Sequence, residues 1–156
     1  MSNQGVRGFY QVTKTIKDSL LSDVNVNTVT TGDITKIDLS KQTIFPLSHL
    51  LINNVSQEDQ ILRFNISVFC MDVVDVSKDE TTDIFVGNDN EHDVLNTQLA
   101  VLNKLIELLR RGTLHTNKYQ LDGVVNCEPF YDRFENEVAG WAGTMDILIA
   151  NDINVC

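Results

Sequence analysis

Cysteine and proline are scarce in this sequence, which has three and two of them among 156 residues. The cysteines, Cys70, Cys127 and Cys156, are odd in number and widely spaced, and no CxxC pair occurs. This pattern argues against a disulfide framework and offers no zinc or redox motif, so we interpret the cysteines as reduced thiols. Eight glycines and two prolines are also too few for a collagen-like or low-complexity chain.

Long apolar runs are missing as well. No stretch of about 18 apolar residues occurs, which excludes a membrane-spanning helix, and residues 1–10 lack the apolar centre of a signal peptide. We therefore expect a protein made in the cytosol, with no membrane partner. Hydrophobic residues make up 42% of the chain and charged residues 22%, and the length predicts a single domain over residues 1–156.

Basic residues are few, since 12 Lys and Arg face 22 Asp and Glu to give a net charge of −10. Most of the excess lies in residues 72–93, which hold eight acidic residues and only Lys78 as a base. Affinity for nucleic acid depends on clustered Lys and Arg that displace counterions from phosphates. The charge pattern therefore argues against sequence-specific binding of DNA or RNA.

Two segments have the hydrophobic spacing of amphipathic helices. The first covers residues 9–20, where apolar side chains recur in steps of three and four residues. The second covers residues 91–111 and also has the boundary signals of a helix. Asn90 can cap its first amides, acidic residues open it, two arginines close it, and Gly112 can end it.

Five segments have the composition of strands. They are residues 24–31, 47–55, 61–76, 124–130 and 134–150. In the third, apolar and polar side chains alternate up to Val68, and both faces are apolar from Phe69 onward. The order of helix, strands, long helix and strands predicts an α+β fold in which two helices cover one face of a mostly antiparallel sheet. An acidic loop over residues 75–90 and extended termini complete this prediction.

The sequence has no recognisable catalytic or ligand-binding motif. His49, His92 and His115 lack the spacing of metal ligands, and neither a phosphate-binding loop nor a nucleophile elbow occurs. The acidic segment 87–93 does not have the register of a calcium loop, and helix capping beside a solvated loop explains it better. We therefore predict a protein that has no cofactor and is not an enzyme.

Three segments resemble a known family. They are residues 38–49 (DLSKQTIFPLSH), 87–103 (GNDNEHDVLNTQLAVLN) and 134–156 (FENEVAGWAGTMDILIANDINVC). Together with the order of elements, they are similar to tail-completion, tail-terminator and head-to-tail connector proteins of tailed bacteriophages. The resemblance implies a virion subunit, assembled in the host cytoplasm, that forms a homo-oligomeric ring around the DNA channel at the neck or tail end. It implies neighbouring portal, connector or tail proteins as partners, and no cofactor or enzymatic activity.

For the contacts of such a ring, we expect the acidic loop over residues 75–90 to reach a neighbouring subunit or ring. The candidate interaction residues are Asp75, Asp79, Glu80, Asp83, Phe85 and Asp89. The termini, residues 1–7 and 151–156, are the second candidates. An acidic ring lining would also repel phosphate and let DNA slide past. A solvated loop and mobile ends would produce the same sequence pattern.

Two other functions are compatible with the sequence. The first is a small cytosolic module that binds a protein or peptide and uses the acidic loop as its docking charge. The second is an enzyme in which Glu135 and Glu137, about 7 Å apart on one strand face, act as paired carboxylates. No apolar pocket signal flanks these two residues, so solvated charges explain them equally well.

Overall fold

Three α-helices, one turn of 3-10 helix (Gln42–Ile44) and one five-stranded sheet are the regular elements of the described part of the chain. That part covers residues 4–33, 42–74, 91–116, 119–133 and 138–151 of this computed structural model. The helices are α1 (Gln4–Leu21), α2 (Glu91–Arg111) and the one-turn α3 (Thr113–Thr116). The strands are β1 (Thr28–Thr31), β2 (Leu47–Glu58), β3 (Ile61–Val73), β4 (Gln120–Arg133) and β5 (Val138–Ala150).

The sheet has the strand order β1-β2-β3-β5-β4. Strands β2, β3, β5 and β4 pair antiparallel with their neighbours, whereas the short β1 runs parallel to β2. Residues 32–46 connect β1 to β2, which is long enough for the crossover that a parallel pair requires. The predicted mostly antiparallel sheet is therefore confirmed, and β1 and β4 are its edges among the described strands.

Helices α1 and α2 pack on the same face of the sheet, as predicted. Their apolar stripes meet alternate side chains of β3 and β5 in one buried cluster, which includes Val12, Ile16, Leu20, Phe64, Ile66, Val68, Leu102, Leu105, Leu109, Met145 and Ile147. Alternate positions of β3 supply four buried members of this cluster, Phe64, Ile66, Val68 and Cys70. Trp141 of β5 fastens α2 to the sheet, because its indole N–H donates a hydrogen bond of 2.8 Å to the Leu95 carbonyl.

The opposite face of the sheet has a smaller apolar cluster at one end. Its buried members are Phe45, Leu47, Met71, Phe130 and Val138. Met71 directly follows Cys70, which belongs to the helix-side cluster, so successive side chains of β3 are buried on opposite faces. This agrees with the apolar character predicted for both faces from Phe69 onward.

Helix α1 begins earlier than predicted, at Gln4 instead of Phe9, and it is kinked at Arg7 (φ −113°, ψ 17°). Part of the N-terminal segment that was predicted to be extended is therefore helical. Gly8, which precedes the predicted segment 9–20, lies inside the helix and is buried. A Cβ atom on Gly8 would lie 2.9 Å from Ile149 Cδ1, so the missing side chain lets α1 approach β5 closely.

Strand β1 is shorter than the predicted segment 24–31. Its β-branched composition favours a strand, but the side chain of Asp23 accepts a hydrogen bond of 2.9 Å from the N–H of Asn25. Such a local turn competes with strand formation. Val24 is consequently 96% exposed, and pairing begins only at Thr28.

The last third of the chain differs from its prediction mainly in length. Helix α2 has the predicted limits, and the single turn of α3 lies between it and β4. Strand β4 extends beyond the predicted residues 124–130 on both sides. Strand β5 begins at Val138, and residues 134–137 of its predicted segment lie outside the described residues.

None of the described helices is long and apolar enough to cross a membrane.

Candidate functional site

The residues predicted to make contacts lie outside the described residues. They are Asp75, Asp79, Glu80, Asp83, Phe85 and Asp89. Glu135 and Glu137, the carboxylates of the enzyme alternative, and residues 152–156 lie outside them too. These predictions stay predictions, and the candidate site described below consists of surfaces that the helices and strands leave uncovered.

Within the described ranges, the side chains form no metal-binding cluster. No three His, Cys, Asp or Glu residues of that part of the chain could hold a metal ion. Burial raises the pKa of the Cys70 thiol to about 12 and also raises the pKa of Cys127. Both thiols therefore stay protonated at neutral pH, and a protonated thiol is a poor nucleophile.

The sheet face opposite the helices carries a hydrogen-bonded polar network. The amide of Asn53 donates to Asn65 Oδ1 and to Ser67 Oγ, both at 2.9 Å. The amide of Asn65 donates to Asp146 Oδ1 at 2.8 Å, and the hydroxyls of Ser67 and Thr144 are 3.0 Å apart. These bonds connect β2, β3 and β5, so the side chains form an ordered polar surface.

Arg63 holds three carboxylates together on this polar face. Its guanidinium donates to Asp122 and, at 3.1 Å, to Glu58, and it lies 3.6 Å from Asp146. Hydrogen bonds to Asp122 and then to Glu58 are the main causes that raise the pKa of Arg63. The cluster is open to solvent, so its ion pairs add little to the stability of the fold. Their main effect is to orient side chains of β2, β3, β4 and β5.

An open groove of about 590 Å³, called here the β1 groove, lies at the β1 edge of the sheet. Strand β1 ends at Thr31, opposite Leu50, so the rest of β2 has no neighbour on this side among the described strands. The groove is lined by Phe9, Thr13, Thr31, Gly32, Leu51 and Ile52, together with Asp33. Phe9 is 57% exposed at this surface, so the groove offers apolar contacts to a partner.

His49 holds the end of β1 that borders the β1 groove. Its ring is fully buried. Because a carbonyl only accepts, Nε2–H of His49 donates to the Gly32 oxygen at 2.6 Å, and Nδ1 accepts from the Thr30 hydroxyl at 2.7 Å. Burial lowers the pKa of His49 below 6.5, whereas the Gly32 hydrogen bond and the charge of Asp33 act in the opposite direction. Through these two hydrogen bonds, the neutral ring of His49 links β2 to the end of β1.

The lowered pKa of His49 predicts a loss of stability on acidification. Folding favours the neutral ring, so its stabilising effect is complete above pH 6.5 and is lost as the pH falls through the lower pKa of the folded state. We expect His49→Gln to lower the free energy of unfolding at pH 7.5 by about 1–3 kcal/mol and to flatten its decline between pH 7.5 and 5.5. Urea unfolding at several pH values measures both effects.

His115→Gln is the matched control, because His115 is exposed on α3. This variant should retain the pH dependence of the parent chain. Equal pH dependence of the parent and His49→Gln would contradict the role assigned to His49.

The β4 edge carries a bulge over residues 122–126, called here the β4 bulge, where the pairing with β5 shifts register. Gly123 has a φ of 74°, a conformation that suits glycine. Arg110 of α2 donates a hydrogen bond of 2.7 Å to the Gly123 carbonyl, and Val125 packs against the core. Val124 points outward between these anchors and is 81% exposed, so the bulge presents an apolar tip.

The β1 groove and the β4 bulge are two differently shaped surfaces at the two edges of the sheet, and sequence reasoning missed both. Gly123, which directly precedes the predicted strand 124–130, was the available signal for a bulge, because a glycine inside a strand suggests one. The groove depends on where β1 ends and could not be located from local sequence. No family model matches the chain, and no curated protein matches it either.

Proposed function

We propose that the chain is a structural subunit of a tailed-bacteriophage virion. Copies of it form a closed ring at the head-tail neck or at the tail end and join virion components around the DNA channel. Its partners are its own copies and the neighbouring portal, connector or tail proteins. The ring acts by contact alone, without a cofactor or a chemical reaction, and is assembled in the host cytoplasm.

The observation that carries this proposal is the difference between the two edges of the sheet. A ring of identical subunits needs two different surfaces on each subunit, which meet head to tail with a rotation that closes. The β1 edge has a groove, and the β4 edge has a bulge with the exposed Val124. Because β1 and β4 lie at opposite ends of the strand order, one subunit can present both surfaces to two neighbours.

The net charge of the chain and the polar side chains on one sheet face support the same proposal. The net charge of −10 opposes adhesion to a DNA backbone, which suits a channel through which the genome passes. The polar network on the helix-free face of the sheet offers ordered hydrogen-bonding groups, of the kind that accompany apolar contacts in protein interfaces. No sequence-specific contact with nucleic acid is part of this function.

Quantitative mass spectrometry of purified virions tests the proposal. We expect several copies of the chain per particle, in far smaller number than the major capsid protein. Infection by a phage that lacks the gene should yield unjoined heads and tails, or tails of abnormal length. Absence of the chain from purified particles, with normal particles formed by the deletion phage, would contradict the proposal.

The β1 groove also favours a second candidate function, a small cytosolic module that binds a peptide. In that case an extended peptide would lie against the open side of β2 and bury its apolar side chains near Phe9 and Ile52. This module would remain in the lysate as a monomer or dimer and would be missing from virions. Particle analysis therefore separates the two functions.

A further inference from the structure

We infer that the β4 bulge of one copy docks into the β1 groove of the next copy. The inference rests on the proposed ring and names the surfaces through which its subunits meet. Val124 is the central contact on one side, and Phe9, Leu51 and Ile52 receive it on the other. The occupant of the β1 groove is thus a second copy of this chain.

The location of the two surfaces agrees with head-to-tail contact. Strands β1 and β4 are separated by three strands, so at about 4.8 Å per strand step the two edges lie roughly 19 Å apart. When subunits meet through unlike edges, every assembly that has not yet closed has one unoccupied β1 groove and one unoccupied β4 bulge. Addition of subunits therefore continues until the last bulge meets the first groove.

The two surfaces share an apolar character. The hydrogen bond from Arg110 and the packing of Val125 anchor the β4 bulge to the rest of the subunit. The exposed side chain of Val124 is therefore preorganised, which lowers the entropic cost of docking. The β1 groove is a recess with apolar side chains from α1 and β2. Moving Val124 from solvent into this recess buries an apolar side chain that is exposed in the single subunit.

Charges of opposite sign lie beside the two surfaces. Lys14 and Lys17 line a smaller recess that adjoins the β1 groove through Thr13 and Thr31, and the acidic residues nearby are Asp18 in that recess and Asp33 in the groove. In the part of the chain that the structure describes, neither lysine forms an ion pair, although the chain is strongly acidic. Glu128 of β4 is exposed and likewise has no ion-pair partner within the described ranges. These opposite charges would steer the two edges together.

A neighbouring subunit can contact the β4 edge more readily through side chains than by adding a strand to it. Its ladder with β5 shifts register twice, between Asp122 and Asn126 and between Phe130 and Arg133. Pro129 lies on the same strand and has no N–H to donate. Bulges and prolines on an edge strand discourage the addition of another strand, so the projecting Val124 is the feature that a neighbour can engage.

A charge substitution tests the docking in the assembled protein. Val124→Asp would place a carboxylate in the apolar recess, and we expect it to lower the yield of particles containing the chain about tenfold or more. Val24→Asp is the matched control, because Val24 is also exposed and borders neither surface. The control should change the yield less than about twofold. Circular dichroism of both variants shows whether they remain folded.

Cysteine cross-linking tests the contact even if Val124→Asp fails to fold. Thr31→Cys and Val124→Cys are combined in a chain that also carries Cys127→Ser and Cys156→Ser, which leaves only the buried Cys70. Oxidised virions should then give a ladder of covalent oligomers on non-reducing gels, whereas either single cysteine gives no ladder. The two new cysteines cannot bond within one chain, since they lie on opposite edges of the sheet.

The outcomes separate the two proposals. A ladder with the double variant supports the docking. Particles that contain the chain but give no ladder, together with equal yields for Val124→Asp and Val24→Asp, overturn the docking and leave the ring in place. Absence of the parent chain from particles overturns the ring, and the docking with it.

Discussion

Replacing Gly140 with alanine should abolish cooperative folding or lower the free energy of unfolding by more than about 4 kcal/mol. Gly140 of β5 lies opposite Met71 of β3, inside the sheet. A Cβ atom there would overlap the carbonyl oxygen of Cys70 and lie 2.8 Å from the Met71 Cα atom. Both are backbone atoms, so they can give way only if β3 and β5 separate. Urea unfolding monitored by circular dichroism measures the loss.

Gly143→Ala, three residues further along β5, is the control for Gly140→Ala. Its new Cβ atom would lie 3.1 Å from Leu102 Cδ2, which is the flexible end of a side chain. We expect a cost of only about 1–2 kcal/mol, as for mild overpacking. If Gly140→Ala were as stable as Gly143→Ala, the close pairing of β3 with β5 at this position would be wrong.

Replacing Gln98 with leucine should stabilise the fold by about 2 kcal/mol. Gln98 lies on the core-facing side of α2 and is 1% exposed. Neither its amide nitrogen nor its amide oxygen has a hydrogen-bond partner among the described residues. A buried amide without partners loses its hydrogen bonds to water on folding. Leucine has nearly the same helix propensity and buries an apolar side chain in its place.

Thermal unfolding measures the effect of Gln98→Leu. A gain of that size in a chain of this length should raise the midpoint by about 4–8 °C. Lys104→Leu is the matched control on the exposed side of α2, and it should change the free energy of unfolding by less than about 0.5 kcal/mol. A midpoint for Gln98→Leu at or below that of the parent chain would show that the Gln98 amide is satisfied.

Local sequence signals were sufficient for the long elements of this fold. Helix α2 has its predicted limits because apolar spacing, charged ends and Gly112 all indicate the same segment. The alternation in β3 correctly identified its helix-facing side chains, because one face of that strand is buried against the helices. From these elements the α+β class and the packing of both helices on one face could be predicted.

Features that depend on contacts between distant segments could not be predicted from local sequence. The predicted helix begins after Gly8, since glycine is a poor helix former. In the structure α1 includes Gly8, and the missing side chain lets it approach Ile149 closely. His49 lies in an apolar run that predicts only burial, and its role emerges once Gly32 is seen beside it. Val124 matched a strand, and only the register of β4 with β5 reveals the bulge that exposes it.

The two edge surfaces relate the fold to the proposed function. The strand order makes β1 and β4 the edges among the described strands, and a residue from another element holds each of them in place. His49 fixes the end of β1 beside the groove, and Arg110 fixes the β4 bulge. Both surfaces are therefore preorganised in the single subunit, which lowers the entropic cost of the proposed assembly.

Cryo-electron microscopy of purified virions is the most direct measurement of the central claim. We expect a rotationally symmetric ring of this chain at the neck or tail end, with DNA or an open channel at its centre and with unlike sheet edges facing each other between subunits. A map that accounts for every neck and tail component without this chain, or that shows it as an isolated single copy, would contradict the account.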